Sequence, residues 1–323
     1  MGAGLTGATL AWLAARAGHE VLLAPAGRGA CPAMRAGAAV VRGVGLPEPL
    51  SGGELPVGSA PIDRIADLAR RGESLVLEAL MRARRSCRAR RVPSRRRYEG
   101  PDAGSRAETA LLALREIGVE ARVETDAHGV VVSREDDLLV ATRRLTFELL
   151  RLARRAGALW AGRGALEAIA GEDPRPSARI DGRCERFDRI VWTCGRPDER
   201  APFAGVLARR GLLVRTLRAG EKPLDAVLRF DELLLLPCPF DPRRVRTIES
   251  GESSPPDRIR SPAFTGALSA YVGAPIRQHL EDQFEAAPAI VADPPGPVLT
   301  FAAPPAWPLA TLFGRIERCL AAV

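Results

Sequence analysis

The sequence predicts a two-part α/β fold, and three observations carry that reading. The first is the run Gly2-Ala3-Gly4-Leu5-Thr6-Gly7 at the start of the chain, a G-x-G-x-x-G spacing. The second is the stretch directly after it. A helix of small apolar residues over 5–17 leads to a short apolar strand over 19–24, the order and lengths of a Rossmann-like half. The third is a late apolar strand over 187–195 that ends on small residues and Gly195. In such a half the first Gly permits a tight turn. The second lets backbone approach a pyrophosphate, and the third lets helix pack on strand. Phosphates then sit on the helix N-terminus, where free N–H groups and the macrodipole favour anions. The predicted class is α/β: an FAD/NAD(P)-binding Rossmann-like domain, its first strand missing, with a second α+β substrate domain.

The elements run in chain order. Residues 5–17 are apolar nearly all round, which marks a buried helix, and Arg16 and Gly18 supply its stop. The strand over 19–24 ends at Pro25. Residues 25–60, rich in Gly and Pro, read as loop. Helices are expected over 62–90 and 106–117, with Arg82, Arg84, Arg85, Arg88, Arg90, Arg91, Arg95, Arg96 and Arg97 at and beyond the end of the first. Short strands are expected at 119–124 and 130–132, and a helix over 142–156 with an apolar face of Leu145, Leu149, Leu150 and Leu152. Residues 212–236 hold two or three strands, 238–262 a loop, 277–286 a helix, 298–301 a last strand and 309–320 a last helix.

Composition narrows the class. Of the 323 residues 46% are hydrophobic, as in a soluble globular protein, and no apolar run approaches the ~20 residues of a membrane span. No secretory leader is visible, so the cytoplasm is the expected location. The net charge is +8, and nearly all the positive charge is arginine, since Lys222 is the only lysine. With Ala, Gly and Pro also abundant, that points to a GC-rich genome rather than to nucleic acid. The six cysteines contain no C-x-x-C pair, which fits free thiols in a reduced compartment.

Several segments resemble the glycine oxidase and D-amino acid oxidase (DAO) family of flavoproteins. Residues 2–24 are similar to its FAD-binding start. Cys31-Pro32-Ala33-Met34-Arg35-Ala36-Gly37-Ala38 resembles the small-residue loop that reaches the flavin. Asp137-Leu138-Leu139-Val140, leading into the helix over 142–156, resembles its segment ahead of the late FAD strand, and Thr193-Cys194-Gly195 stands where that strand ends. The resemblance implies FAD as cofactor, held by Gly2, Ala3, Gly4, Leu5, Thr6, Gly7, Arg35, Ala36, Thr193, Cys194 and Gly195. It also implies oxidation of a small amine or amino acid by hydride transfer to flavin N5, with an electron acceptor it does not name. The FAD domain would comprise 1–60, 140–200 and 290–323, and the substrate domain 61–139 and 201–289. A family arginine and tyrosine hold the substrate; neither can be placed on this sequence.

Three departures qualify the resemblance. Met1 stands where a Val or Ile normally ends strand one. A valine GTG codon read as a start would produce this, and true truncation is the alternative. The acidic residue that binds ribose hydroxyls is absent, positions 24–26 being Ala24-Pro25-Ala26. Arg28 offers a guanidinium to a 2′-phosphate instead, which keeps NADP open against a plain loop arginine. The loop before the last helix reads Phe301-Ala302-Ala303-Pro304-Pro305-Ala306-Trp307, with prolines in place of N–H donors, and Gly314 lies inside the helix itself. A degenerate, non-catalytic relative therefore stays open beside the oxidase. Cys194 reads as a buried structural thiol. His19 reads as a surface residue, His128 as part of a turn and His279 as helical. The pairs Asp136-Asp137 and Glu281-Asp282 read as solvated, without metal-ligand spacing. The arginine run reads as a solvated face, with nucleic-acid binding as its rival.

Overall fold

The computed structural model describes residues 4–25, 37–43, 60–83, 86–116, 118–126, 129–162, 166–170, 175–193, 210–218, 224–230, 233–241, 243–251, 277–286, 298–300 and 308–321. The first helix, α1 (Leu5–Arg16), forms as expected and buries ten of its twelve residues. Gly18, at φ +91°, ends it: the Gly18 N–H bonds to the Ala15 carbonyl and the His19 N–H to the Ala14 carbonyl. That pair of bonds satisfies carbonyls the helix itself leaves open, and only a residue tolerant of left-handed backbone makes it at low cost. His19 is exposed, as expected.

Strand β1 (Leu22–Leu23) comes next, then β2 (Ala39–Val40), which lies inside the region read as loop. Helix α2 spans Ala60–Arg82 and is followed by β3 (Arg90–Tyr98). After it stand helix α3 (Ala103–Glu116), β4 (Arg122–Asp126) and the twelve-residue β5 (Gly129–Val140), and β5 runs almost directly into α4 (Thr142–Arg155). Strand β6 (Leu159–Trp160) pairs in parallel with β1. A three-stranded meander is built from β7 (Leu166–Ala170), β8 (Ser177–Ile180) and β9 (Arg183–Arg186). Strand β10 (Ile190–Trp192) pairs in parallel with β16 (Val298–Thr300). Between these two lie β11 (Arg210–Arg218), β12 (Val227–Phe230), β13 (Leu233–Pro237), β14 (Arg244–Gly251) and β15 (Arg277–Ala286). The last helix is α5 (Leu309–Ala321).

Two layers result. In one, α1, α2, α4 and α5 enclose a single apolar core around Trp12, Val76, Leu145, Leu149 and Phe313, with Trp12 edge-on to Phe313 at 6.4 Å. The parallel pairs β1–β6 and β10–β16 are separate two-stranded sheets, and no described strand joins β1 to β10. The other layer is a nine-stranded sheet in the order β15-β11-β14-β13-β12-β3-β5-β2, with β4 also on β5. Every pairing in it is antiparallel except β12 with β3.

Four expectations are corrected here. The helix expected to reach residue 90 stops at Arg82, and much of the arginine run lies in β3. Pro93 lies in β3, where it marks a break in register between Val92 and Ser94 and a missing N–H is tolerated. The expected loop over 238–262 contains β14, and the expected helix over 277–286 is β15, so His279 is a strand residue. Both strands pair with β11, whose neighbours override weak local propensity. Finally, Asp137 is not a solvated residue: it lies in β5 at 1% exposure. His128, Cys194, Arg28 and the 301–307 loop lie outside the described residues.

Candidate functional site

The N-terminus of α1 is the first half of the site. Gly4 is its N-cap, in extended backbone, with no side chain to cap the helix and no acidic residue in the first turn. Leu5, Thr6 and Gly7 are buried. The Thr9 hydroxyl bonds back to the Leu5 carbonyl at 2.9 Å, so it does not serve the cap. Helix N-termini carry N–H groups with no intrahelical acceptor, and most chains cap them with Ser, Thr, Asp or Asn. This one keeps its donors and the positive end of its dipole available to an anion. Because α1 runs back into β1, its N-terminus lies at the carboxyl end of that strand, where open α/β sheets bind ligands.

The ends of the two parallel pairs complete this region. Ala24 after β1 and Trp192 in β10 belong to one buried cluster with Ile190, Leu166 and Ile180, and Thr193, next to Trp192, is 7% exposed. The described residues after β1, Ala24 and Pro25, are both buried and carry no carboxylate. Of the site residues expected from sequence, Gly4, Leu5, Thr6 and Gly7 sit together at the helix start and Thr193 at the end of β10. Gly2, Ala3, Arg28, Arg35, Ala36, Cys194 and Gly195 lie outside the described residues.

The sequence reading missed a second cluster, where the two layers meet. One Asp137 carboxylate oxygen accepts the Arg42 N–H at 3.0 Å and the Leu138 N–H at 2.8 Å. The other accepts the Gly43 N–H at 2.6 Å and the Ser94 hydroxyl at 2.8 Å. Four donors meet one buried carboxylate, the arrangement that makes a buried charge tolerable. Val41, beside these residues, donates its N–H to the Leu138 carbonyl and accepts from the Ala310 N–H of α5, both at 2.9 Å. Gly43 packs within 3.2 Å of Pro308, measured from where its Cβ would be.

Two arginines of the sheet pair with aspartates close by. Arg134, 4% exposed, donates from Nε to Asp136 at 2.7 Å and holds that exposed carboxyl below its ordinary value of 3.8. Buried Arg97 pairs with Asp126. Arg96 and Arg106 both lie over Tyr98. Burial pushes the Cys87 thiol above its usual range, which disfavours the thiolate.

No protein-family model matches this sequence, and no curated protein matches it. Solved structures do. The fold is that of glycine oxidase from Geobacillus kaustophilus, with a TM-score of 0.71 at 14% identity, covering 99% of this chain and 92% of that one. It is also that of iminodiacetate oxidase from Chelativorans sp. BNC1, with a TM-score of 0.68 at 18% identity, covering 100% of this chain and 93% of the other. L-proline dehydrogenase from P. horikoshii matches at a TM-score of 0.67 and 11% identity, with 99% and 92% covered. The chain thus has the two-layer α/β fold, with a Rossmann-like part, shared by oxidases and dehydrogenases of amino acids and amines. No described helix is long and apolar enough to cross a membrane.

Proposed function

We propose that this chain is an FAD-dependent oxidoreductase that oxidises a small amine or amino acid. The observation that carries the reading is the uncapped, buried start of α1 at Gly4-Leu5-Thr6-Gly7, within a fold shared with glycine oxidase and L-proline dehydrogenase. These residues fit a diphosphate: they supply main-chain donors and no competing carboxylate. Gly4, Leu5, Thr6 and Gly7 would hold it, with Thr193 near the rest of the cofactor. Bound there, FAD would accept hydride from the C–H next to nitrogen, leaving an imine that water hydrolyses, with oxygen or another acceptor taking the electrons on. Helices α1, α4 and α5 with the parallel pairs would form the cofactor part, from 1–60, 140–200 and 290–323, and α2 would pack on it from the adjoining segment. The nine-stranded sheet would form most of the substrate part, from 61–139 and 201–289. Two members of the arginine run are committed within the sheet: Arg97 is buried against Asp126, and Arg96 lies over Tyr98.

A second reading, a relative that keeps the fold without catalysis, is favoured by the missing carboxylate at Ala24-Pro25. The visible spectrum decides between them. Purified protein reconstituted with FAD should be yellow, and anaerobic addition of glycine, iminodiacetate or L-proline should bleach it. Protein that retains FAD but bleaches with no amine supports the non-catalytic reading. Protein that takes up no FAD overturns the oxidase reading and supports the non-catalytic one.

A further inference from the structure

We infer that Asp137 is a positioning residue that fixes the nine-stranded sheet against the helical layer holding the cofactor, and that cofactor affinity depends on it. The inference rests on the FAD reading above and extends it to a residue far from the glycine turn. Three chain segments pass between the layers at this point. Residues 138–142 carry β5 into α4, where the Ala141 N–H bonds to the Cys87 carbonyl and the Thr142 N–H to the Gly37 carbonyl. Residues 37–43 carry β2 and the turn beyond it. Residues 308–312 begin α5. Asp137 binds the first two segments directly, through Leu138 and through Arg42 and Gly43, and reaches β3 through Ser94. It reaches the third through Val41, whose carbonyl accepts the Ala310 N–H.

The path from there to the cofactor site is short. Helix α5 sets Phe313 against Trp12 of α1, and the first turn of α1 is the proposed diphosphate cradle. A carboxylate accepts all four donors at once. An amide in its place presents an NH2 group to at least one N–H or hydroxyl that needs an acceptor. The turn at 41–43 then loses a restraint, and the start of α5 loses it too.

The test compares Asp137→Asn with Leu114→Ala, a core truncation on α3 against Tyr98 and Val132 that lies away from the layer junction. Ser94→Ala, which removes a single hydroxyl donor, serves if Asp137→Asn does not fold. FAD dissociation constants are measured by flavin fluorescence on the full chain, alongside hydrogen exchange of the apo-protein. FAD binding should weaken about ten-fold in Asp137→Asn, with faster exchange at 41–43 and 310–312. Ser94→Ala should show a smaller loss in the same direction, and Leu114→Ala should bind within about two-fold of the parent at equal or greater loss of melting temperature. Asp137→Asn or Ser94→Ala binding FAD no more weakly than Leu114→Ala overturns this inference alone. A parent protein that binds no FAD overturns the flavoprotein reading and this inference with it.

Discussion

Helices α2 and α5 meet backbone to backbone, and substituting the glycines at the contact tests that arrangement. A Cβ added at Gly72 would lie far inside the 3.0 Å that real Cβ contacts respect, against the carbonyl oxygen of Ala310, and one at Gly314 would meet the carbonyl of Leu68 in the same way. Carbonyls of a packed helix cannot rotate aside, so the helices must separate by more than an ångström. That separation strips contacts from Leu75, Val76 and Phe313 in the same core. Overpacking of this kind costs about 1–3 kcal/mol and here falls at the upper end, offset by about 1 kcal/mol of helix propensity gained from Gly to Ala. The net loss for Gly72→Ala is about 2 kcal/mol, a fall in melting temperature of roughly 4 °C in a chain of this size. The double variant should lose less than the sum, because Gly72 and Gly314 share one contact and the first substitution already opens it. Gly104→Ala is the control: this glycine of α3 has nothing within 4 Å of its Cβ position, so alanine there should hold or raise the melting temperature. Circular dichroism melts of the parent and these variants decide. Gly72→Ala melting at or above the parent temperature would refute the close approach of α2 and α5.

Other expectations concern charge and thiols. Asp137→Ala leaves three main-chain N–H groups and a hydroxyl unpaired at a buried site and should lower stability by at least about 3 kcal/mol, read as a shift of the urea midpoint. Asp136 has a depressed carboxyl in the folded state, so its ion pair with Arg134 contributes stability above the ordinary value of 3.8 and loses it as pH falls through the folded value. The parent should therefore destabilise more steeply than Asp136→Asn as pH drops below about 4, and parallel acid limbs would contradict this. Native protein treated with iodoacetamide should be alkylated at exposed Cys184 and spared at buried Cys87, as read by peptide mass spectrometry, and equal labelling would refute the buried thiol.

Sequence legibility tracks locality. The start of the chain can be read because glycine spacing, helix stop and strand all lie within 24 residues, and Gly18 ends α1 by the mechanism its position suggests. Helix α4 and strand β13 are equally plain, since each carries its apolar pattern unaided. Strands β3, β14 and β15 are not, because arginine-rich or acidic strands owe their existence to partners elsewhere in the chain. The meander at β7–β9 carries one usable sign that the sequence reading passed over: Asp181-Gly182, both at positive φ, turning β8 into β9. Asp137 is illegible for the same reason at larger scale. Its donors Ser94, Gly43 and Arg42 lie 43, 94 and 95 residues away, so a pair of aspartates looks solvated until the fold brings those groups to it.

The lone parallel pairing in the large sheet has a consequence for how the molecule assembles. Strands β2, β3 and β4 all pair with β5, and β11 to β15 gather among themselves. Among the described residues, only Val227–Phe230 against Ser94–Arg97 stitches the two groups together. Those partners are more than a hundred residues apart, so the seam closes a long loop and has only four residue pairs to offset that entropy. It should be the last part of the sheet to gain protection in pulse-labelled refolding and among the first to open in native exchange. Protection of the amides bonded across the β12–β3 seam at the same time as those bonded between β12 and β13 would contradict that order. The nine strands then behave as two cooperative sheets sharing one short border.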